Sequence, residues 1–449
     1  MASKWTTIST HVVEPEVKRD PDWMECSPLD YVALGYKSHL FLYKPDSAAG
    51  SVPQIDRLVD SLGKTLTLFY PFAGRLIRNV KFERPRLHCN NAGALFTHKR
   101  YHGVASELID EENFLPTDEL AGVRENGITP WRPVYDPSGL PTLLIQVTDF
   151  DCGSRCVSVS FSHQVADAFA FLHFLSSWAE ICRGEQVSSV PVHDRSLLSR
   201  RKSSPVLDEG APVRFLNNQM KDPVVVQFKD PEHGKSLKTM KLTNTRMQEL
   251  KAQGVRDCDG TGVNPTSTDC VSANLWRWVA EKREYKPDDV LAFHTYVNLR
   301  SRLKNFPQNY FGNGVIVACC SLTVQELRSK SLGELAAVIQ EANKAVNEDL
   351  VRDWIDWNAV NKFHLWSVGD EPVMLGDPNV MYHVLRASYV NRASFYDLDF
   401  GTGKPSASLR NDMVQLIGGI WVMPSSKPGE LRVEVYAENQ LLDKLPEVM

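Results

Sequence analysis

Some stretches of this chain alternate apolar with polar residues, while others place an apolar residue every three or four positions. Residues 155–162 alternate valine and phenylalanine with small polar residues, which is the period of a strand with one buried face. From Phe171 the spacing becomes that of an amphipathic helix, and Gly184 follows where a left-handed cap is expected. His163 and Asp167 therefore lie between a predicted strand and a predicted helix, where rigid elements can hold polar groups in a cleft.

The same two periods recur on both sides of a segment with loop composition. Residues 185–215 are rich in Ser, Pro and Gly and have few periodic apolar positions, which indicates a linker. We expect two α/β domains, residues 1–184 and 220–449, joined by a linker over residues 185–219. Alternation predicts further strands over residues 5–13, 143–150, 224–228, 291–299, 314–322, 417–423 and 431–436. Helical spacing predicts helices over residues 52–69, 243–253, 267–283 and 335–346, with Gly254 just past the second of these.

Composition narrows the function classes. The chain has 449 residues, 43% of them hydrophobic, and a net charge of -5 without a pronounced basic run, so we expect a soluble protein with no nucleic-acid partner. Its nine cysteines include no C-x-x-C pair, which favours reduced thiols in a cytoplasmic protein over a zinc site. No secretory signal is evident, and no run reaches the roughly 18 apolar residues of a membrane span. We therefore expect neither a metal nor a membrane partner.

His163 and Asp167 form an H-x-x-x-D pair that allows two interpretations. An imidazole with the ordinary pKa of about 6.5 can take a proton from an alcohol or an amine, which makes His163 a candidate general base. Alternatively, Asp167 caps the helix that follows and His163 is an ordinary histidine at a strand end. The sequence signatures of phosphate loops, dinucleotide folds, zinc peptidases and serine hydrolases are absent.

A second group of residues favours the functional interpretation of His163 and Asp167. Asp399-Phe-Gly-Thr-Gly403 lies far down the chain, and further short motifs occur at 68–75 (LFYPFAGR), 194–195 (DR), 275–277 (LWR), 297–302 (VNLRSR) and 310–313 (YFGN). In their order and spacing, which span essentially the whole chain, these motifs resemble the BAHD family of coenzyme A-dependent acyltransferases. Members of that family carry H-x-x-x-D near the end of the first half and D-F-G-W-G in the second half.

The resemblance implies a fold, a reaction and a set of site residues. The fold would be two chloramphenicol-acetyltransferase-like domains of mixed sheet flanked by helices, joined by a crossover loop, with a channel between them. His163 would be the general base in a ternary complex of acyl-CoA and a small acceptor of specialised metabolism. Asp167 would be structural, with Arg300 as its partner, and Asp399 would shape the fold. Acceptor-side residues by the same analogy are Tyr36, His39, Ser388 and Asn391.

The same resemblance also implies how the protein would work, and two departures from the family motifs limit what it implies. Acyl-CoA would be a co-substrate rather than a permanently bound cofactor, and the protein would be a cytoplasmic monomer. The enzyme would be an O-acyltransferase acting on a hydroxyl, with N-acylation of an amine as the alternative. Thr402 stands where the family has Trp, and Ala168 where Gly is usual, which puts the subfamily in doubt more than the catalysis. Two alternatives are another reaction on this fold, such as a lyase, and a non-catalytic binding protein. The retained His163 argues against the first of these.

Overall fold

Alternating residues build two six-stranded mixed sheets in the computed structural model of this chain. The structure describes residues 3–30, 35–45, 52–77, 86–110, 115–123, 139–201, 235–361, 366–368, 371–373, 384–411 and 418–446. It divides into two compact units. The first unit holds Met1–Ser199 with Pro307–Gly314 and Ala393–Val414, and the second holds Arg200–Phe306, Val315–Arg392 and Gln415–Met449.

The strands and helices are numbered along the chain. Those up to the crossover are β1 (Trp5–Val13), β2 (Asp22–Glu25), β3 (Tyr36–Tyr43), α1 (Ile55–Leu68), β4 (Arg75–Ile77), β5 (Arg86–Cys89), β6 (Ala94–Tyr101), β7 (Ile109–Asp110), β8 (Leu115–Pro116), β9 (Leu140–Pro141), β10 (Leu143–Phe150), β11 (Arg155–Ser162) and α2 (Ala168–Arg183). Those after it are β12 (Lys235–Thr243), α3 (Asn244–Asp257), α4 (Ser267–Lys282), β13 (Val290–Asn298), β14 (Val315–Thr323), α5 (Val324–Ser329), α6 (Leu332–Ala345), α7 (Glu348–Asn361), β15 (Trp366–Val368), β16 (Glu371–Val373), β17 (Val384–Tyr389), β18 (Ala407–Arg410), β19 (Gly419–Pro424), β20 (Glu430–Glu438) and α8 (Asn439–Leu442). Short 3-10 turns lie at Tyr70–Ala73, Ala105–Glu107, Asp118–Leu120, Arg195–Leu198, Leu299–Ser301 and Phe395–Asp397.

The sheet of the first unit has the strand order β1-β6-β10-β11-β3-β18. Among the described strands of this sheet, only β10 and β6 pair in parallel; the hairpin of β10 and β11 and the other neighbours are antiparallel. The edge strand β18 comes from the second half of the chain and pairs with β3 through residues 407–410. The first unit is therefore completed by a segment that follows β11 by more than two hundred positions.

Helices α1 and α2 cover this sheet with their apolar faces. Phe171, Phe174, Leu175 and Trp178 of α2 are fully buried, and the Trp178 indole N–H donates to Ser61 Oγ of α1 at 3.0 Å. Burying a large side chain of this kind stabilises a fold by about 1.5–3 kcal/mol. The helix ends at Gly184, whose φ of 82° is the left-handed conformation that a residue without a Cβ adopts at low cost. This packing fixes the start of α2 next to the end of β11.

The second unit repeats the layered plan with the strand order β12-β20-β19-β17-β13-β14. The helices α3, α4 and α6 pack on its core face, where Trp276 lies against Phe293 with ring centroids 5.5 Å apart. Within the described residues, no helix is long and apolar enough to cross a membrane.

Most of the predicted elements are confirmed. The strand over 5–13, the hairpin of 143–150 with 155–162 and the helix that ends before Gly184 form as expected. The predicted strand at 224–228 lies outside the described residues. The domain boundaries at 184 and 219 stay a prediction.

The predicted helix end before Gly254 is wrong. Helix α3 continues through this glycine to Asp257. A Cβ on Gly254 would lie 2.5 Å from Sγ of Cys270 in α4. The glycine therefore allows two helices to pack closely and does not stop the first one.

Candidate active site

The candidate site begins where β11 ends. The His163 backbone N–H donates to the carbonyl oxygen of Gly35 at 3.0 Å, so the chain stays attached beside β3 for one residue past the strand. The Val165 N–H then donates to the Ser162 carbonyl at 3.0 Å, which closes a tight turn. His163 as a residue is half-buried in this turn, with its Nδ1 atom buried, and Asp167 is 2% exposed.

Asp167 uses both carboxylate oxygens to hold the backbone. Oδ1 accepts the N–H of Ala170 at 2.8 Å and caps α2, as the sequence predicts. Oδ2 accepts the N–H of Gly314 at 2.8 Å, from a segment of the second half of the chain. Ala168, at the position where the family has Gly, is the first residue of α2. These contacts support a structural role for Asp167.

Arg300 belongs to the second unit, in the 3-10 turn after β13. It is 4% exposed, and its backbone N–H and its Nη1 both donate to Oδ1 of Asn298, at 3.1 and 3.2 Å. The pairing of Arg300 with Asp167 stays a prediction.

Buried residues for which the sequence predicted no individual role contact the turn from 163 to 167. Asn313 Nδ2 donates to the His163 carbonyl at 2.8 Å, and Arg195 Nη2 donates to the Val165 carbonyl at 2.7 Å. Asp30 is completely buried beside both of them. Arg195 and Asn313 belong to the short motifs at 194–195 and 310–313, so the sequence did single out their segments. The spacing of these motifs does not show that Asp30 contacts both residues.

Asp399 organises its own loop. One carboxylate oxygen, Oδ1, accepts the backbone N–H groups of Gly401, Thr402 and Gly403 at 2.7, 3.0 and 2.9 Å. The carbonyl of Asp399 accepts a bond from Nη1 of Arg183, the last residue of α2, at 2.5 Å.

The Asp399 loop lies at the end of α2 that is remote from His163. Phe400 packs on Trp178, with ring centroids 4.8 Å apart, near the C-terminal end of the helix. A helix of 16 residues is about 24 Å long at 1.5 Å per residue, and His163 lies beyond its other end. These contacts support a role for Asp399 in shaping the loop.

The four predicted acceptor-side residues divide between the units. Tyr36 pairs with Ser162 next to the turn, and its hydroxyl donates to the Pro141 carbonyl. His39, on the same strand, stacks on Phe395 with centroids 4.5 Å apart and is 7% exposed. Ser388 and Asn391 belong to the second unit, on β17 and just after it. Contact of any of the four with an acceptor stays a prediction.

A family model and individual relatives with known names both match most of this chain. A family model described as "Transferase family" matches residues 3–445. Anthranilate N-benzoyltransferase protein 3 of Dianthus caryophyllus is 30% identical over 78% of this chain and 75% of its own. The chain belongs to the BAHD acyltransferase family. An Avena sativa relative, hydroxycinnamoyl-CoA:5-hydroxyanthranilate N-hydroxycinnamoyltransferase HHT4, is 28% identical over 98% of both chains.

The fold agrees with this BAHD membership. The crystal structure of F. graminearum TRI101 complexed with ethyl coenzyme A has a TM-score of 0.72, with 18% identity over 94% of this chain and 96% of that one. The mixed α/β fold with two sheet-rich bodies, predicted from the sequence, is confirmed. BAHD proteins are acyltransferases that use acyl-CoA as co-substrate.

Proposed function

We propose that this BAHD protein transfers an aromatic acyl group from a coenzyme A thioester to a hydroxyl or an amine of a small acceptor, with His163 as general base. The observation that carries the proposal is that His163 and Asp167 lie in different environments within the H-x-x-x-D turn. Asp167 is buried and its two oxygens hold backbone N–H groups, whereas His163 is a half-buried residue at the end of the strand. The histidine is thus the member of the pair that can meet a substrate.

The proposed reaction proceeds without a covalent enzyme intermediate. His163 removes the proton from the acceptor O–H or N–H as that atom attacks the thioester carbonyl. The tetrahedral oxyanion collapses, the carbon–sulfur bond breaks, and the imidazolium returns its proton to the departing thiolate. General-base assistance of this kind contributes about 10²–10⁴-fold. Holding both substrates at one site contributes further, because it replaces a bimolecular encounter.

The names of the relatives supply the substrate classes to test. One is a benzoyltransferase and the other a hydroxycinnamoyltransferase, and their named acceptors are anthranilate and 5-hydroxyanthranilate. We extend these classes to this protein: an aromatic acyl donor, and a small acceptor that carries a hydroxyl or an amine. We further propose that it works as a monomer in the cytoplasm and binds acyl-CoA only as co-substrate.

The test is a matrix of donors and acceptors. Benzoyl-, hydroxycinnamoyl- and acetyl-CoA are each combined with anthranilate, a hydroxybenzoate and 5-hydroxyanthranilate, which offer an amine, a hydroxyl and both. Free coenzyme A is followed with a thiol reagent, and mass spectrometry distinguishes ester from amide. We expect acceptor-dependent release that is faster with the aromatic donors. No acceptor-dependent release in any combination would contradict the proposal, and preference for acetyl-CoA would contradict its donor class.

A further inference from the structure

Three polar residues from distant parts of the chain are buried together behind the His163 turn. Asp30 is 0% exposed, Arg195 8% and Asn313 3%. All three belong to the first unit. Burying a carboxylate and a guanidinium is costly unless each is paired and hydrogen-bonded, so such a group calls for a specific reason.

The three residues are bonded to one another through Asp30. Its Oδ1 accepts from Asn313 Nδ2 at 2.8 Å, and its Oδ2 accepts the N–H of Ser27 at 2.7 Å. Nε of Arg195 lies 3.6 Å from Oδ2 of Asp30. Burial lowers the pKa of the Arg195 guanidinium, but the charge of Asp30 and the hydrogen-bonded Tyr310 hydroxyl outweigh it and raise the pKa. Arg195 therefore stays charged in the interior.

The donors that remain point at the backbone of the turn. Asn313 Nδ2 also reaches the His163 carbonyl, at 2.8 Å, and Arg195 Nη2 reaches the Val165 carbonyl, at 2.7 Å. On the far side of the turn, the Asp167 N–H donates to the Gly312 carbonyl at 3.3 Å. Residues 163, 165 and 167 are thus each held through their own backbone groups.

The segment that supplies these contacts is itself anchored. Val192 and Tyr310 form a β-bridge, and the Phe311 N–H donates to the Val192 carbonyl at 2.8 Å. Arg195 Nη1 donates to the Tyr310 hydroxyl at 3.2 Å. Residues 192–195 and residues 310–313 are therefore bonded to each other where they contact the turn.

Gly312 leaves the space that Arg195 fills. A Cβ at this position would lie 1.3 Å from Nη1 and 2.5 Å from Cζ of Arg195, so any side chain would displace the guanidinium. Alanine at position 312 is thus a way to move Arg195 without deleting a hydrogen-bonding group.

We propose that Arg195 and Asn313, held by Asp30, are positioning residues that fix where the His163 imidazole sits during acyl transfer. They act through the backbone of the turn and do not touch the substrates. Because a displacement of about 1 Å at a reacting group can cost about 10²-fold in rate, small shifts of this turn affect turnover. The inference rests on the proposed role of His163 as base.

The experiment compares two arginines of the same unit. Arg195→Gln breaks the pair with Asp30 and the bond to the Val165 carbonyl. Arg155→Gln is the matched control, because Arg155 Nε is 2.6 Å from Asp149 Oδ1 and its Nη1 donates to the Pro53 carbonyl. Arg155 is the first residue of β11, whose eight residues place it about 26 Å from His163 at ~3.3 Å per residue. Unfolding is measured first, and kcat and KM are then measured well below each melting temperature.

We expect both variants to lose stability but only Arg195→Gln to lower kcat, by about 10- to 100-fold, while KM for both substrates stays close to the wild-type value. Arg195→Lys, which keeps the charge and one donor direction, recovers part of the loss. Gly312→Ala and Asn313→Ala lower kcat in the same way, and they decide the matter if Arg195→Gln does not fold.

Two results would overturn the inference in distinguishable ways. If His163→Ala is inactive while Arg195→Gln, Gly312→Ala and Asn313→Ala lose no more kcat than Arg155→Gln, the positioning role is wrong and the general base stands. If His163→Ala keeps full activity, the general base and the positioning role both fall.

Discussion

Asp167 Oδ2 accepts the backbone N–H of Gly314 at 2.8 Å, although 147 positions separate the two residues in the chain. The other oxygen caps α2 through Ala170. Alanine at position 167 leaves two buried N–H groups without an acceptor, so we expect the free energy of unfolding to fall by about 2–4 kcal/mol. Asparagine retains one side-chain oxygen and should lose about half as much. Chemical denaturation of Asp167→Ala and Asp167→Asn measures both values.

The activity of the folded Asp167 variants separates two roles. A structural Asp167 predicts that kcat falls in the same order as stability, because the turn that carries His163 loosens. Loss of kcat in Asp167→Ala with unchanged stability would instead assign this carboxylate a direct part in the chemistry.

The Asp399 loop predicts a change in stability without a change in chemistry. Asp399→Ala removes the acceptor of three backbone N–H groups, so we expect a loss of about 1–3 kcal/mol in unfolding free energy. The kcat of the folded protein should equal that of the wild type. Asp399→Asn, which keeps Oδ1, is the matched variant and should lose less. A large fall in kcat with normal stability would show that this loop takes part in the reaction.

The close approach of α3 and α4 makes an unusual prediction for Gly254. Alanine normally stabilises a helix interior by about 1 kcal/mol relative to glycine. Here its Cβ would lie 2.5 Å from Cys270 Sγ, so we expect Gly254→Ala to be destabilising by about 1–3 kcal/mol. Cys270→Ala should relieve the clash, so that the double variant loses less than the sum of the single changes. Strict additivity in thermal unfolding would contradict this packing.

His193 predicts how stability depends on pH. Burial lowers the pKa of this histidine to about 4, and the charges of Arg195 and Arg19 act in the same direction. The unfolded chain takes up this proton near pH 6.5, so stability is complete above that pH and falls as the pH drops towards about 4. The slope from this single group is at most about 1.4 kcal/mol per pH unit.

His193→Gln removes that titration and keeps a donor for the Leu68 carbonyl, which Nε2 of His193 contacts at 2.8 Å. We expect a flatter curve of unfolding free energy between pH 7 and about 4 in this variant. Identical slopes for the wild type and the variant would contradict the low pKa of His193.

Periodicity and capping chemistry could predict the local features of this fold, and they could not predict its individual long-range contacts. The β10–β11 hairpin, the Asp167 cap and the Gly184 end of α2 follow from periodicity and capping chemistry within a few residues. The contact of Asp30 with Asn313 joins residues 283 positions apart, and no local pattern encodes it. The local sequence does not explain Gly254 either, because this glycine makes room for Cys270 of a neighbouring helix.

The same limit applies to the candidate site. His163 could be selected as the base because the H-x-x-x-D pair and the motifs at 194–195, 310–313 and 399–403 resemble one family in order and spacing. The attachment of residues 310–314 and of β18 to the first unit became evident only from the folded chain. Of these two segments, residues 312–314 contact the turn that carries His163.

The most direct measurement is acceptor-dependent release of coenzyme A by His163→Ala, compared with the wild type at equal folded concentration. In the proposed mechanism the His163 imidazole takes the acceptor proton, so we predict that kcat falls by about 10²–10⁴-fold while the melting temperature changes little. A His163→Ala enzyme with undiminished acceptor-dependent release would contradict the assignment of His163 as the general base.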